Sequence, residues 1–233
     1  MKAKDFLYMQ AQHVLKRWSR AGIDGFILEN LDKTHSAPRE ILVVGGYGRV
    51  STFISREYKG NKITEMDING LFKPHIVADL SSPELEEFIP TKFDVIILIE
   101  VLEHVRDFES AAINLNKLLR PTGIVIGSTP WSAPIHDAPH DYFRYTHFEL
   151  VRLFSKSGFL DVTIECRGNL LDSIIYLGLR GLKSWGWRGK LLFIPFALLS
   201  LLMPKPKRYS MLQDSCIGYN FVLRKEYTNS FKK

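Results

Sequence analysis

The stretch Phe93-Asp-Val-Ile-Ile-Leu-Ile-Glu-Val-Leu-Glu-His-Val105 decides how the rest of the chain is read. Its apolar, β-branched run stops at Glu100, and Glu103 and His104 follow within four positions. A strand covered on both faces needs apolar side chains on both, so an unbroken run of this kind reads as the centre of a parallel sheet. Polar groups just past the carboxyl end of such a strand stand where open α/β sheets bind ligands.

Working outward, Ile41–Val44 reads as a short buried strand and Gly45-Gly-Tyr-Gly48 as a turn. A helix follows from Val50 to Tyr58, then a second strand over Lys62–Asp67 and a third over Pro74–Asp79, each ending in an acid. Ser82-Pro83-Glu84 marks a helix start with proline in the first turn. Asp107 is placed to cap a helix whose core face is Phe108, Ala111, Ala112, Leu115, Leu118 and Leu119. Arg120–Gly123 reads as a turn and Ile124–Ile126 as the fifth strand. A helix from Thr146 to Ser157 is closed by Gly158, and residues 161–167 and 216–224 alternate as strands do. Ahead of all this, residues 5–20 form an amphipathic pattern through Leu7, Ala11, Val14, Leu15 and Trp18, ended by Gly22 and Gly25. The expected fold is α/β: one doubly wound, mostly parallel sheet with an antiparallel last strand and helices on both faces. A single domain over residues 1–233 accommodates it, with a helical, apolar and basic insertion at 171–210 before the last strand.

Glycines after a first strand let the backbone turn sharply and approach a ligand closely, and Gly45, Gly46 and Gly48 stand there. Gly46 to Ser51 also approximates the dinucleotide fingerprint, with Ser51 in the third glycine's place and Asp67 at the spacing of the ribose-binding acid. A carboxylate at Asp67 can accept both hydroxyls of a ribose in either kind of nucleotide site. On this segment alone a nicotinamide enzyme and an adenosine-cofactor enzyme stay open.

Asp79 in Val77-Ala-Asp-Leu80, the Leu102-Glu103-His104 motif, and the run His140-Asp-Tyr-Phe-Arg-Tyr-Thr146 together resemble the S-adenosylmethionine-dependent methyltransferases of Rossmann-like fold. The resemblance covers about residues 40–165 and the final strand. It implies S-adenosylmethionine as cofactor, held by Gly45, Gly46, Gly48, Asp67, Asp79, Glu100 and His104, with Asp79 receiving the adenine amine. One departure stands out: the family carries an acid two positions before the first glycine, where this chain has Val43. A catalytically inactive binding module that kept the fold therefore stays open beside the enzyme, as does an NAD-dependent oxidoreductase.

Methyl transfer asks mainly for alignment of a nucleophile with the methyl carbon, and an oxygen nucleophile also gains from a base. Among His104, His136 and His140 we favour His140, because its loop follows the fifth strand and lines the acceptor side. Arg144 either binds an anionic group of the acceptor bidentately or pairs with Asp141 or Glu149 and holds the loop. His136 and His140 with Asp137 and Asp141 have i, i+4 spacing, but Pro134 and Pro139 break the helix a metal site of that spacing needs, so we expect no metal there.

The net charge of +6 is unevenly placed. Residues from Arg180 onward hold eleven Lys and Arg against two acids, so the first 179 carry a small negative balance. This disfavours a nucleic-acid binder and favours a local anionic partner. Leu191–Met203 is apolar except for Ser200, with Trp185, Trp187, Arg188 and Lys190 before it and Lys205, Lys207 and Arg208 after it. As a helix it spans about 20 Å, short of the roughly 30 Å hydrocarbon core. Its flanks suit an anionic membrane surface through residues 185–208, and burial as a substrate lid is the alternative. Two cysteines in no metal-type spacing and no signal-like start give a reducing, cytoplasmic expectation, peripheral at the inner membrane face if the segment docks. The expected reaction is methyl transfer to a small or lipid-linked acceptor, at oxygen.

Overall fold

The computed structural model describes residues 22–31, 38–45, 48–181 and 215–225, with isolated positions 195, 199 and 202. The amphipathic pattern at 5–20, Gly46, and the apolar segment at 191–203 with its basic flanks lie outside, apart from isolated positions. The elements are helix α1 (22–31), β1 (Glu40–Val44), α2 (Arg49–Glu57), β2 (Lys62–Asp67), β3 (Ile76–Val77), α3 (Leu85–Phe88), β4 (Phe93–Ile99), α4 (Phe108–Leu118), β5 (Leu119–Pro130), α5 (His147–Lys156), β6 (Phe159–Arg167), α6 (Leu170–Gly181) and β7 (Gly218–Lys225). Short 3-10 turns lie at Gly70–Phe72 and Leu102–His104.

The sheet order is β3-β2-β1-β4-β5-β7-β6. Pairings among β1 to β5 are parallel, and β7 runs antiparallel to both β5 and β6. An antiparallel strand slotted between β5 and β6 departs from the six-strand order of dinucleotide-binding domains. Alternation along each central strand feeds two cores. Ile41, Val43, Val95, Ile97, Ile124 and Val222 pack against α1 and α2. Leu42, Val44, Ile96, Leu98, Val125 and Leu223 pack against α3, α4 and α5. The continuous apolar run of β4 is thus explained by the two layers it divides.

Several boundaries differ from the sequence reading. Gly22 and Gly25 do not end a helix; both lie within α1, because Ile23, Phe26, Ile27 and Leu31 present a buried face at helical spacing. Burying each contributes about 1.5–3 kcal/mol, which outweighs the roughly 1 kcal/mol penalty of a helical glycine. Pro83 sits in the turn ahead of α3, whose cap is Glu84. The third strand shrinks to Ile76–Val77 because it pairs on one side only, with β2. Strand β5 begins at Leu119, which pairs with Phe93 before a register shift, so residues 120–123 belong to an irregular strand start. Asp107 caps α4 as expected, accepting from the Ser110 amide at 3.0 Å. Cys166 and Cys216 are buried and are not joined in a disulfide.

Candidate active site

Three strand ends meet at one edge of the sheet. Gly45 follows β1 at φ +65°, and its amide donates to Met66 O at 2.9 Å, beside the end of β2. Asp67 O in turn accepts from Ala78 N at 3.1 Å, beside the end of β3. Two backbone hydrogen bonds therefore bring the glycine turn, Asp67 and the Ala78-Asp79 segment into one row. Gly45 is needed twice over: its φ lies in the left-handed region, and a Cβ there would stand 2.7 Å from Val101 Cγ2. Gly48, at φ +72°, caps α2 with no side-chain hydrogen bond, which leaves first-turn amides of that helix to a ligand.

Asp67 accepts from Asn69 N at 2.8 Å through Oδ1, and Asp79 takes Ser81 N at 2.8 Å and Ser81 Oγ at 2.7 Å, again through Oδ1. Among the described residues the second oxygen of each carboxylate has no hydrogen bond, which leaves it available to a ligand. Beside them Ile68, Leu71, Phe72 and Val77 are exposed, Leu71 at 87%. Exposed apolar side chains gathered around free acceptors form the kind of wall a nucleoside base packs against. The sequence reading missed these four; their signal was apolar residues flanking an acid-ended strand.

The other expected residues form a second group on the β4–β5 side. Glu100 adopts φ +55° in the turn after β4. Its Oε1 accepts from Ser128 Oγ at 2.8 Å and from Arg167 Nη2 at 3.0 Å, and its amide donates to Ser128 O. Left-handed backbone at a non-glycine residue costs about 1–2 kcal/mol, and these bonds hold it. Arg167 is buried, so the pair ties the end of β6 beneath the ends of β4 and β5. Neither Ser128 nor Arg167 stood out in the sequence.

The loop after β5 folds back on the 3-10 turn: Tyr142 N donates to Glu103 O at 2.8 Å, and His104 Nδ1 donates to His140 O at 2.7 Å. His140 itself is exposed, its Nδ1 paired with Tyr142 Oη at 2.8 Å. Arg144 is fully committed. Nε donates to Ala133 O, Nη1 to Asp141 Oδ1 and Phe143 O, and Nη2 to Asp141 Oδ2 and Pro134 O, at 2.6–3.2 Å. A guanidinium has five N–H groups, and all are used. Of the two roles expected for Arg144, the structure shows the loop staple, and no donor remains for an anionic acceptor. The Arg144 guanidinium holds the Asp141 carboxyl down to about 2.

Glu103 neither faces solvent nor caps α4. Its side chain is fully buried, and desolvation raises its pKa. His136 lies beside it, its imidazole lifted above the usual range by the facing carboxylate. His136 and Asp141 belong to a loop, as Pro134 and Pro139 imply, and Asp141 Oδ2 accepts from His136 N at 2.9 Å. A cavity of about 490 Å³ is lined by Asp107, Phe143, Arg144 and Arg152, where the site loop meets the N-terminal ends of α4 and α5.

The profile of a methyltransferase domain family, described as "Methyltransferase domain", matches residues 15–162, more than half of the chain. The chain belongs to this family. The methyltransferase resembles, among solved structures, a SAM-dependent methyltransferase from Archaeoglobus fulgidus at 14% identity and TM-score 0.58, covering 89% of this chain and 95% of that one. It also resembles the O-methyltransferase of a trans-AT PKS multienzyme of Brevibacillus brevis in complex with S-adenosyl-L-homocysteine, at 16% identity and TM-score 0.57, covering 97% and 80%. A third is the Burkholderia thailandensis 1,6-didemethyltoxoflavin-N1-methyltransferase with its substrate and S-adenosylhomocysteine, at 15% identity and TM-score 0.53, covering 95% and 86%. At these identities the solved structures bear on the fold. No curated protein sequence matches. The enzyme is an S-adenosylmethionine-dependent methyltransferase, and the residues at its sheet edge fit that cofactor: a turn where a Cβ would clash, and two carboxylates each with an oxygen to spare. Val43, at the place of the family's acid, is buried against α1 and α2, facing away from the edge.

Proposed function

We propose that this methyltransferase acts on an oxygen of a small or lipid-linked acceptor, with the cofactor bound along Gly45, Gly48, Asp67 and Asp79 and the acceptor entering over the His140 loop. The observation that carries it is the row of three strand ends joined through Gly45 N to Met66 O and Ala78 N to Asp67 O, at 2.9 and 3.1 Å. Held along those residues, the cofactor would supply an electrophilic methyl group to the acceptor oxygen. The hydroxyl proton needs a receiver. In the tautomer in which His140 Nδ1 donates to Tyr142 Oη, Nε2 keeps a lone pair for it. Asp67 and Asp79 orient ribose and adenine, and the Arg144–Asp141 staple fixes the loop that carries His140.

Lipid linkage is supported by the apolar Leu191–Met203 segment between aromatic and basic flanks, and by α6, where Leu170, Ile174 and Leu177 are exposed along one stripe. Among the described residues no helix is long and apolar enough to cross a membrane, so contact with a bilayer would be at its surface.

The test is a thermal-shift comparison of S-adenosylmethionine, S-adenosylhomocysteine and NAD, followed by turnover on hydroxyl-bearing acceptors. A ligand at 100 times its Kd stabilises by about 2.7 kcal/mol, or about 5–10 °C for a chain of this size. We expect that shift from both adenosyl ligands and none from NAD. His140→Ala should keep the shift and lower turnover by about 100-fold or more. An equal response to NAD ends the cofactor assignment, and unchanged turnover removes His140 from the mechanism.

A further inference from the structure

Glu103 is a buried carboxylate that no Lys or Arg pairs with among the described residues. Neither of its oxygens makes a hydrogen bond among those residues. The neighbouring acids are compensated, Glu100 by Arg167 and Asp141 by Arg144. Glu103 instead faces two imidazole nitrogens, His104 Nε2 at 3.7 Å and His136 Nε2 at 3.8 Å from Oε1. Those separations are too long for hydrogen bonds. An uncompensated charge in such a place is costly, and burial without a partner calls for an explanation.

The two rings are oriented by what they hold on the far side. His104 Nδ1 donates to His140 O at 2.7 Å. His136 Nδ1 faces Pro134 O at 3.2 Å and Asp141 Oδ2 at 3.3 Å, both acceptors. With Nδ1 given to an acceptor, each ring turns Nε2 toward Glu103. Three atoms able to ligate a metal, one from each side chain, thus lie within 4.8 Å of one another. Metal-ligating histidines are held in this way, with the remote N–H given to a carbonyl or carboxylate.

The geometry points to a divalent transition-metal site formed by Glu103, His104 and His136. Two imidazoles and one carboxylate suit zinc, manganese, iron(II) or cobalt, whereas magnesium and calcium take oxygen ligands. Ligands at about 2.0–2.2 Å from such an ion lie about 3.0–3.4 Å apart, so the two Glu103–imidazole separations close by about 0.3–0.8 Å on binding, and the two imidazoles draw together with them. Three protein ligands leave coordination positions open. The cluster lies under the loop that carries His140, so an acceptor hydroxyl reaching an open position would be made more acidic. That role rests on the proposed oxygen transfer; the binding itself does not. The sequence reading grouped His136 with His140 and missed Glu103, because 33 positions separate the two and only the folded loop joins them.

The test uses the full chain, dialysed against a chelator and titrated with Co²⁺ by calorimetry and visible absorption, with Zn²⁺ as competitor and Mg²⁺ as control. We expect one Co²⁺ per chain with a d–d band that Zn²⁺ abolishes, and no Mg²⁺ binding at equal concentration. Glu103→Gln and His136→Ala should each weaken Co²⁺ binding about tenfold or more. His104→Ala, at a half-buried position, provides a third variant if Glu103→Gln does not fold by circular dichroism. S-adenosylhomocysteine binding is read on the same samples. Absence of stoichiometric Co²⁺ and Zn²⁺ binding, or binding that survives the substitutions in folded protein, overturns the site. Metal bound while the homocysteine ligand is not leaves the site standing and overturns only the proposed reaction.

Discussion

Single side chains divide here into those that meet the cofactor and those that hold such residues in place. On the proposed reading Asp67 belongs to the first kind; one oxygen accepts from Asn69 N, and the other has no hydrogen bond among the described residues. Hydrogen bonds to a charged group contribute about 1.5–3 kcal/mol, so Asp67→Asn should weaken S-adenosylhomocysteine binding by about ten- to a hundredfold in calorimetry, with the thermal midpoint of the free protein nearly unchanged. Arg144 belongs to the second kind. A lysine there keeps the charge but offers three donors from one atom and cannot span both oxygens of Asp141. Arg144→Lys should therefore cost about 1–2 kcal/mol of stability and increase hydrogen exchange over residues 133–144. It should lower turnover while leaving homocysteine-ligand affinity intact, and a loss of that affinity would show that Arg144 reaches the cofactor after all.

Helix α4 connects the core to the nucleoside edge through one polar side chain. Asn114, buried on the face that carries Ala111, Leu115 and Leu118, donates to Leu80 O at 2.9 Å and Ser82 O at 2.7 Å. These bonds anchor the segment that presents Asp79. Asn114→Ala strands two carbonyls and should cost about 1–3 kcal/mol for each left unpaired, read as a lower urea midpoint. Because Asp79 adjoins Leu80, cofactor affinity should fall as well. Elements of this kind were legible in the sequence where period and cap agreed. The β4 run, the exact span of β2, the apolar face of α4 and its Asp107 cap all follow from local chemistry. Helix α1 was not legible, because Gly22 and Gly25 signal termination locally while the Ile23, Phe26, Ile27 and Leu31 face makes sense only against the sheet. The row of acids at neighbouring strand ends was legible, since neighbouring parallel strands must place their ends together. The Arg144–Asp141 pair stood among the expected roles, three residues apart, whereas the commitments of Glu100 and Glu103 were not legible, because each depends on a residue brought in by a loop or by β6.

At the scale of the molecule, charge and apolar surface coincide toward the end of the chain. The net of +6 arises beyond Arg180, against a slightly acidic remainder. Helix α6 leads into that basic region with Leu170, Ile174 and Leu177 exposed at four- and three-residue intervals, while Asp172, Ser173 and Ile175 are buried on the other side. Asp172 accepts from Asn169 N at 3.0 Å and Ser173 donates to Ser215 O, which fixes which side of the helix faces outward. A surface that combines apolar area with clustered Lys and Arg binds anionic bilayers through both, at about 1 kcal/mol per basic residue near the surface. Screening acts within about 10 Å at 0.1 M salt, so the two contributions separate experimentally. The protein should co-sediment with vesicles containing phosphatidylserine, weakly with phosphatidylcholine alone, and several-fold less at 0.5 M salt. Ile174→Asp with Leu177→Asp should reduce the salt-resistant part while leaving S-adenosylhomocysteine binding unchanged, since both side chains are exposed. Absence of co-sedimentation with either vesicle at low salt would mean that the acceptor reaches the enzyme from solution.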